Sequence, residues 1–236
     1  QHSITANKLK AKTNNSSIDA DLHLQYSSFK SLKDSMPFLI MNLDMGNVRI
    51  KNSDILYFNP QLIKQPFFKD KTNITTISGL VTGRVNNLKG KNLVIKTGNN
   101  TIVKTDFSIS GLPEVKTAFF NFPHLKMTSG KRDIEMMAGP SIPKSIELPA
   151  NINMQIVFKG STKSFASTMG LNSSFGDAHL IATIDQKENF TSKVSMNGFD
   201  LSRLLKDTTI CGPITLTALA NGQGFDIKTI KARINA

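Results

Sequence analysis

From Ile152 to Asp185 the chain reads INMQIVFKGSTKSFASTMGLNSSFGDAHLIATID, and apolar residues fall at every second position through most of it. Ile152, Met154, Ile156 and Phe158 alternate with polar residues until Gly160. A second run opens at Phe165 and passes through Met169 and Leu171. After Ser173-Ser174-Phe175-Gly176, a third carries Ala178, Leu180, Ala182 and Ile184. Successive side chains of a strand point to opposite faces, so a period of two predicts strands with one oily and one wet face. Parallel strands buried on both sides read as continuous apolar runs; alternation selects an antiparallel sheet solvated on one side. The unit is strand, turn, strand, turn, strand.

The pattern recurs along the chain. Leu22, Leu24 and Tyr26 alternate, as do Leu39, Met41, Leu43 and Met45, and Gly46-Asn47 predicts a hairpin turn into Val48-Arg49-Ile50. Residues 1–20 are polar, with Ile4 and Leu9 reading equally as a weak strand or a linker. From Thr75 the alternation resumes through Ile77–Val81, Gly83, Leu88, Leu93 and Ile95, then Gly98-Asn99-Asn100, then Ile102, Phe107 and Ile109. Gly83 precedes Leu88 by the interval that separates Gly160 from Phe165. A third copy begins at Ile214, Leu216, Ala218 and Ala220 and leads through Gly222 to Phe225 and Ile227. Each glycine predicts a turn or bulge that other residues resist.

Short helical signals keep the same phase. Asp54-Ile55, Asp133-Ile134 and Asp200-Leu201 are each followed a turn later by apolar residues: Phe58, Met137, and Leu204 with Leu205. Asn52 or Ser53 can cap the first, and Pro60 stops it. The three signals define a repeated unit of roughly seventy residues, with approximate units 20–110, 111–185 and 186–236, the last cut short. A repeat cannot bury its apolar face alone, so residues 1–236 are expected to form one continuous elongated structure. The fold class is all-β, an antiparallel sheet with a few short helices.

The charge balance matters for partners: 29 Lys and Arg face 17 Asp and Glu, for +12. Nucleic-acid binders cluster their cations or interleave them with aromatics. Here Lys10, Lys12, Lys96, Lys104, Lys159 and Lys228 are spread as polar partners in alternating runs, which points away from nucleic acid. A solvated face and attraction to an anionic membrane surface both remain open. No apolar run approaches the ~18 residues of a membrane helix. Gln1 is not preceded by a charged n-region and an apolar h-region, so the sequence reads as a mature or excised fragment. Cys211 is the one cysteine, which excludes an internal disulfide framework and a cysteine-rich zinc site.

No catalytic constellation emerges. His23 and His179 stand between apolar neighbours on the wet face, and His2 and His124 make no pair at ligand spacing. Gly222-Gln223-Gly224 lacks a third glycine and runs into a strand, and Gly90-Lys91 lacks the flanks of a phosphate loop. No nucleophile, base and orienter can be named together, which argues against an enzyme and calls for no cofactor and no metal.

Four stretches carry a family resemblance: SDILYFNP (53–60), SISGLPEV (108–115), KSIELPANINMQIVFKGSTKSFASTMGLNSSFGDAHLIATID (144–185), and GFDLSRLLKD with GPITLTALANGQGFD (198–226). Together they cover well over half the chain, and as a series they resemble the TamB family of the AsmA-like superfamily, in its Bacteroidetes form. Family members are far longer, with an amino-terminal inner-membrane anchor and a carboxy-terminal conserved region that are not recognisable here. The resemblance implies a β-taco, a curled sheet whose concave face is an apolar groove. It implies phospholipid transfer across the periplasm between inner and outer membranes, outer-membrane protein assembly beside an Omp85-type partner, or both. The candidate groove lining is Ile152, Met154, Ile156, Phe158, Met169, Leu171, Leu180 and Ile184. The short helices are expected at the rim of such a groove, held by their apolar residues, because each is too short to stand alone. A closed β-sandwich or solenoid serving binding or adhesion shares the alternation. So does a transmembrane barrel, but that wants aromatic girdles, and the chain has no Trp and two Tyr.

Overall fold

In the computed structural model the described residues are 2–28, 38–207, 209, 212–224 and 231–235. They form thirteen strands in one sheet whose spatial order is the chain order, every neighbour antiparallel. The strands are β1 His2–Lys12, β2 Ser17–Tyr26, β3 Ile40–Lys51, β4 Ile74–Arg84, β5 Asn87–Thr97, β6 Thr101–Ser110 and β7 Phe119–Gly130. They continue as β8 Asn151–Gly160, β9 Phe165–Ser173, β10 Gly176–Ile184, β11 Asn189–Asp200, β12 Pro213–Gln223 and β13 Lys231–Asn235. The sheet is elongated, curled and open: β1 and β13 are its two edges and do not pair with each other. A sandwich needs a second sheet and a barrel needs closed edges, so neither alternative describes these residues. Phe225, Ile227 and Cys211 lie outside the described residues.

One local expectation is decided and one is revised. Of the two readings open for residues 1–20 the strand holds, since residues 2–20 carry β1 and the start of β2. Gly46-Asn47 is not a hairpin turn, because β3 runs through it. Pairing with β4 jumps from Met45↔Gly79 to Val48↔Ile77, leaving Gly46 and Asn47 opposite Ser78 as a β-bulge. Other expectations hold: Gly83 and Gly160 lie directly across from Leu88 and Phe165, the residues whose spacing they share.

Bulges sit on β1 between Ala6 and Leu9, on β3, on β5 between Gly90 and Leu93, on β7 between Phe122 and Leu125, and on β11 between Met196 and Phe199. Each adds a residue to one strand, bending it and increasing its twist. Lys8, Asn92 and Gly198 take φ of 54°, 51° and 55° at three of them. Side chains on the next strand accept the N–H groups that the bulges free: Asp21 from Lys8, Asp106 from Asn92 at 2.6 Å, and Thr215 Oγ1 from Gly198 at 3.1 Å. Asp106 also stands 3.3 Å from His124 Nε2, so one carboxylate pins the bulges of both β5 and β7. In contrast, β8, β9 and β10 pair without any shift of register.

Helices interrupt the meander at every fourth connection. Between β3 and β4 lie α1 (Asn52–Phe58), a 3-10 turn (Pro60–Lys64) and α2 (Pro66–Lys69). α3 (Lys131–Ala138) joins β7 to β8, and α4 (Leu201–Leu205) joins β11 to β12. Odd-to-even connections of a meander all lie at one end of the strands, so these segments share one rim. Their aspartates hold them there, each gripping an earlier turn of the same rim. Asp54 accepts from Ser16 Oγ (2.7 Å) and Thr13 Oγ1 (2.8 Å) of the β1–β2 turn. Asp133 accepts the Asn99 and Asn100 N–H groups (3.0 and 2.7 Å) and Thr101 Oγ1 (2.9 Å) at the β5–β6 turn. The Asp200 N–H donates to the Phe175 carbonyl (2.7 Å) at the β9–β10 turn, while its carboxylate caps α4 through the Arg203 N–H. The helices are thus on the rim, but chiefly through polar grips: Phe58 is 85% exposed and Leu205 38%. Successive inserts also touch. Pro66 packs on Gly139, and the Glu147 N–H donates to the Leu204 carbonyl at 2.8 Å.

Candidate functional site: an apolar trough

Residues directly opposite in an antiparallel ladder point to the same face, so the register defines what each face carries. One row passes Ala11, Ile18, Val48, Ile77, Ile95, Val103, Met127, Met154, Leu171, Ala178, Met196 and Leu216, each residue paired with the next. Every member is apolar across twelve adjacent strands. At ~4.8 Å per strand, the row runs for roughly 50 Å along the sheet. A second row runs Leu125, Ile156, Met169, Leu180, Val194 and Ala218. A third runs Phe122, Phe158, Ser167, Ala182, Ser192 and Ala220.

The eight residues singled out from sequence all fall on this face. Met154 meets Leu171, Ile156 meets Met169, and Met169 meets Leu180. Ile184 stands between Phe165 and Phe190, while Ile152 and Phe158 oppose Ser173 and Ser167. Ile152 is buried; the other seven are half-buried. The lining named from sequence stops at β8–β10, whereas the rows continue into β2–β7 and β11 through residues such as Val48, Leu125, Met127, Val194 and Met196. Phe107, Phe120 and Phe122 extend the face as a loose aromatic patch, with centroids 6.3 Å (Phe107–Phe122) and 6.5 Å (Phe120–Phe122) apart.

The inward-facing positions of β2 to β12 include no Lys, Arg, Asp or Glu. The charges of these strands are on the opposite face or at strand ends. Lys104 and Lys126 lie cross-strand from one another there, and Gln155, Gly170 and His179 continue their row. A depression of about 520 Å³ on that polar side is centred on Gly170 and edged by Lys126, Gln155, Asn172, Asp177 and His179. A Cβ at Gly170 would meet nothing within 4 Å there.

Most of the carboxyls held low lie on the rim that carries the inserts. Burial pushes the Asp133 carboxyl up, but the Asn99 and Asn100 N–H groups and the Thr101 hydroxyl outweigh it and hold it below the usual carboxylate range. The hydroxyls of Ser16 and Thr13 lower Asp54, and that of Ser202 with the Arg203 N–H lowers Asp200. Among the described residues no cluster of His, Cys, Asp or Glu is arranged to hold a metal ion, and no helix is long and apolar enough to cross a membrane. What the arrangement offers chemically is a long uncharged hydrocarbon surface beside a polar, basic one. No family model matches the chain, and neither a curated protein nor a solved structure is significantly similar to it.

Proposed function

We propose that the apolar face is a trough for phospholipid acyl chains, and that the chain is a segment of a TamB-like bridge in the cell envelope. In that reading it spans part of the periplasm and carries lipid between inner and outer membranes, with outer-membrane protein assembly beside an Omp85-type partner as a linked role. The parent is anchored in the inner membrane through parts outside this segment. The observation that carries the reading is the complete exclusion of charge from the inward positions of β2–β12, on a face whose side chains, Ile152 and Phe199 apart, stay half-exposed over β8–β12. A folded core excludes charge too, but it covers its residues. Each buried methylene is worth ~0.8 kcal/mol, so a sixteen-carbon tail in water costs on the order of ten. A trough tens of ångströms long offsets that cost while leaving head groups wet. Met154, Met169 and Met196 suit tails of varied shape because methionine repacks easily.

The test places a photo-crosslinker at Ile156 or Leu180 in the parent protein in cells. Lipid adducts are expected at both, and not at Gln155 or His179, one residue along on the opposite face. Equal labelling at all four positions removes the trough.

A further inference from the structure

The insert between β3 and β4 has a feature that the trough does not use. Tyr57 and Phe58, at the end of α1, are 82% and 85% exposed, the two most exposed large hydrophobic side chains among the described residues. Their rings meet edge-on at 5.5 Å. Ile63, 38% exposed, follows on the 3-10 turn, and Lys64, Lys69 and Lys71 are exposed along the same insert. The insert's two carboxylates are engaged: Asp54 grips the β1–β2 turn, and Asp70 accepts the Thr72 N–H (2.9 Å) and hydroxyl (2.6 Å).

This is not a slack loop. Asn52, fully buried, donates through Nδ2 to the carbonyls of Phe67 (2.9 Å) and Asp70 (2.8 Å), and the Asn52 and Ser53 N–H groups reach the Asn73 and Lys71 carbonyls. Those bonds close the insert at its base, and Tyr57 and Phe58 stand outward from it. Exposed aromatic rings and exposed lysines on one braced insert match the layered chemistry of a bilayer surface: rings at the acyl boundary, ammonium groups among anionic phosphates.

We propose that the Tyr57–Phe58 knob, with Lys64, Lys69 and Lys71, seats the rim of the sheet on an anionic lipid bilayer. The inference is independent of what the trough carries, since it rests on the outward side of one insert.

The chain contains no tryptophan, so Tyr57→Trp supplies a single fluorophore at the site. On titration with phosphatidylcholine vesicles holding about one-third phosphatidylglycerol, the emission shifts to the blue, and with pure phosphatidylcholine it does not. A His179→Trp reporter, on the outer face of β10, stays unshifted. Lys64→Gln, Lys69→Gln and Lys71→Gln together weaken binding roughly a hundredfold, about fivefold each, and Phe58→Ser in the Tyr57→Trp chain weakens it about tenfold. The proposal is overturned by no shift, by an equal shift with neutral vesicles or at position 179, or by binding indifferent to the three lysines. A shift that appears with protein concentration in the absence of vesicles overturns it as well, because the knob then serves self-association.

Discussion

The two ends of one apolar face behave differently. Over β2–β6 it closes into a core: Ala20, Met45, Val48 and Leu93 are buried together, with Ile18, Leu43, Ile50, Ile77, Val81, Ile95 and Phe107 packed around them. Over β8–β12 the same rows continue through Met154, Ile156, Leu171, Leu180, Val194 and Met196, which are half-buried, and side-chain burial is confined to Ile152 and Phe199 at the strand ends. Hydrophobicity does not explain the difference, since both halves exclude charge from the face. Bulges do. β1, β3, β5 and β7 each carry one, whereas β8, β9 and β10 run in unbroken register. A bulge bends its strand and increases the twist there, and on β5 Gly90 leaves space that the Phe107 ring fills. The second half carries a single bulge, on β11, and its strands β8–β10 lie in plain register. The same binary pattern therefore gives a core or a trough according to the backbone beneath it.

The strongest way to break this comparison is to put a carboxylate on each half. Val48→Asp buries an uncompensated charge among Ala20, Met45 and Leu93, and a loss above about 4 kcal/mol, enough to abolish cooperative unfolding, is expected. Leu180→Asp keeps its charge hydrated and should cost under about 1.5 kcal/mol in urea unfolding. In the parent protein the second substitution should impair outer-membrane integrity while the protein still accumulates. Equal loss of stability at the two positions would make the second half a core as well.

How much of this was legible in the sequence follows from the same bulges. β8–β10 are unbulged, so strict alternation named eight residues that share one face. On β5 the inward positions step from Gly90 to Leu93, on β7 from Phe122 to Leu125, on β11 from Met196 to Phe199. Counting by twos changes face at each step, and Gly46-Asn47, the bulge of β3, has the residues of a turn without being one. The helices were legible as Asp-led segments, because such residues favour helix starts. Their grips were not, because the accepting carboxylate and the donating turn lie far apart in sequence. Asp133 and Asn100 are 33 residues apart, and nothing local to either announces the other.

A smaller effect sharpens the packing side of the comparison. A Cβ at Gly90 would stand 2.2 Å from the Phe107 ring, whereas one at Gly170 meets nothing within 4 Å. Gly90→Ala must push the ring aside in the closed half, at about 1–3 kcal/mol. Gly170→Ala adds a methyl group to the open polar face of β9 and should fall within about 0.5 kcal/mol of wild type. Thermal unfolding of the two variants measures the contrast directly. A neutral Gly90→Ala would mean that the first half is as loosely packed as the second.

The smallest expected effect concerns the rim, where the two halves are gripped differently. Asp133 takes two backbone N–H groups and a hydroxyl from the β5–β6 turn and is 3% exposed. Asp200, by contrast, spends its carboxylate on its own helix, and the turn it serves is held by its N–H. Both carboxyls are held below the usual range. A carboxyl depressed in the folded state contributes stability that is complete above its unfolded value, about 3.9, and is lost as pH falls through the folded value. Asp133→Asn keeps an acceptor but forfeits the charge, so at neutral pH it should cost about 1 kcal/mol, the difference between charged and neutral hydrogen bonds. That gap should close below pH ~4 as the wild-type carboxyl takes up its proton. Urea midpoints at neutral and acid pH follow it, and hydrogen exchange at Asn99 and Asn100 reports whether the loss begins at this turn. Asp200→Asn should leave exchange at the Asp200 N–H almost unchanged, because the carbonyl of Phe175 still receives it. A gap for Asp133→Asn that persists undiminished into acid would assign the grip to shape rather than charge, and the two halves of the rim would then be held alike.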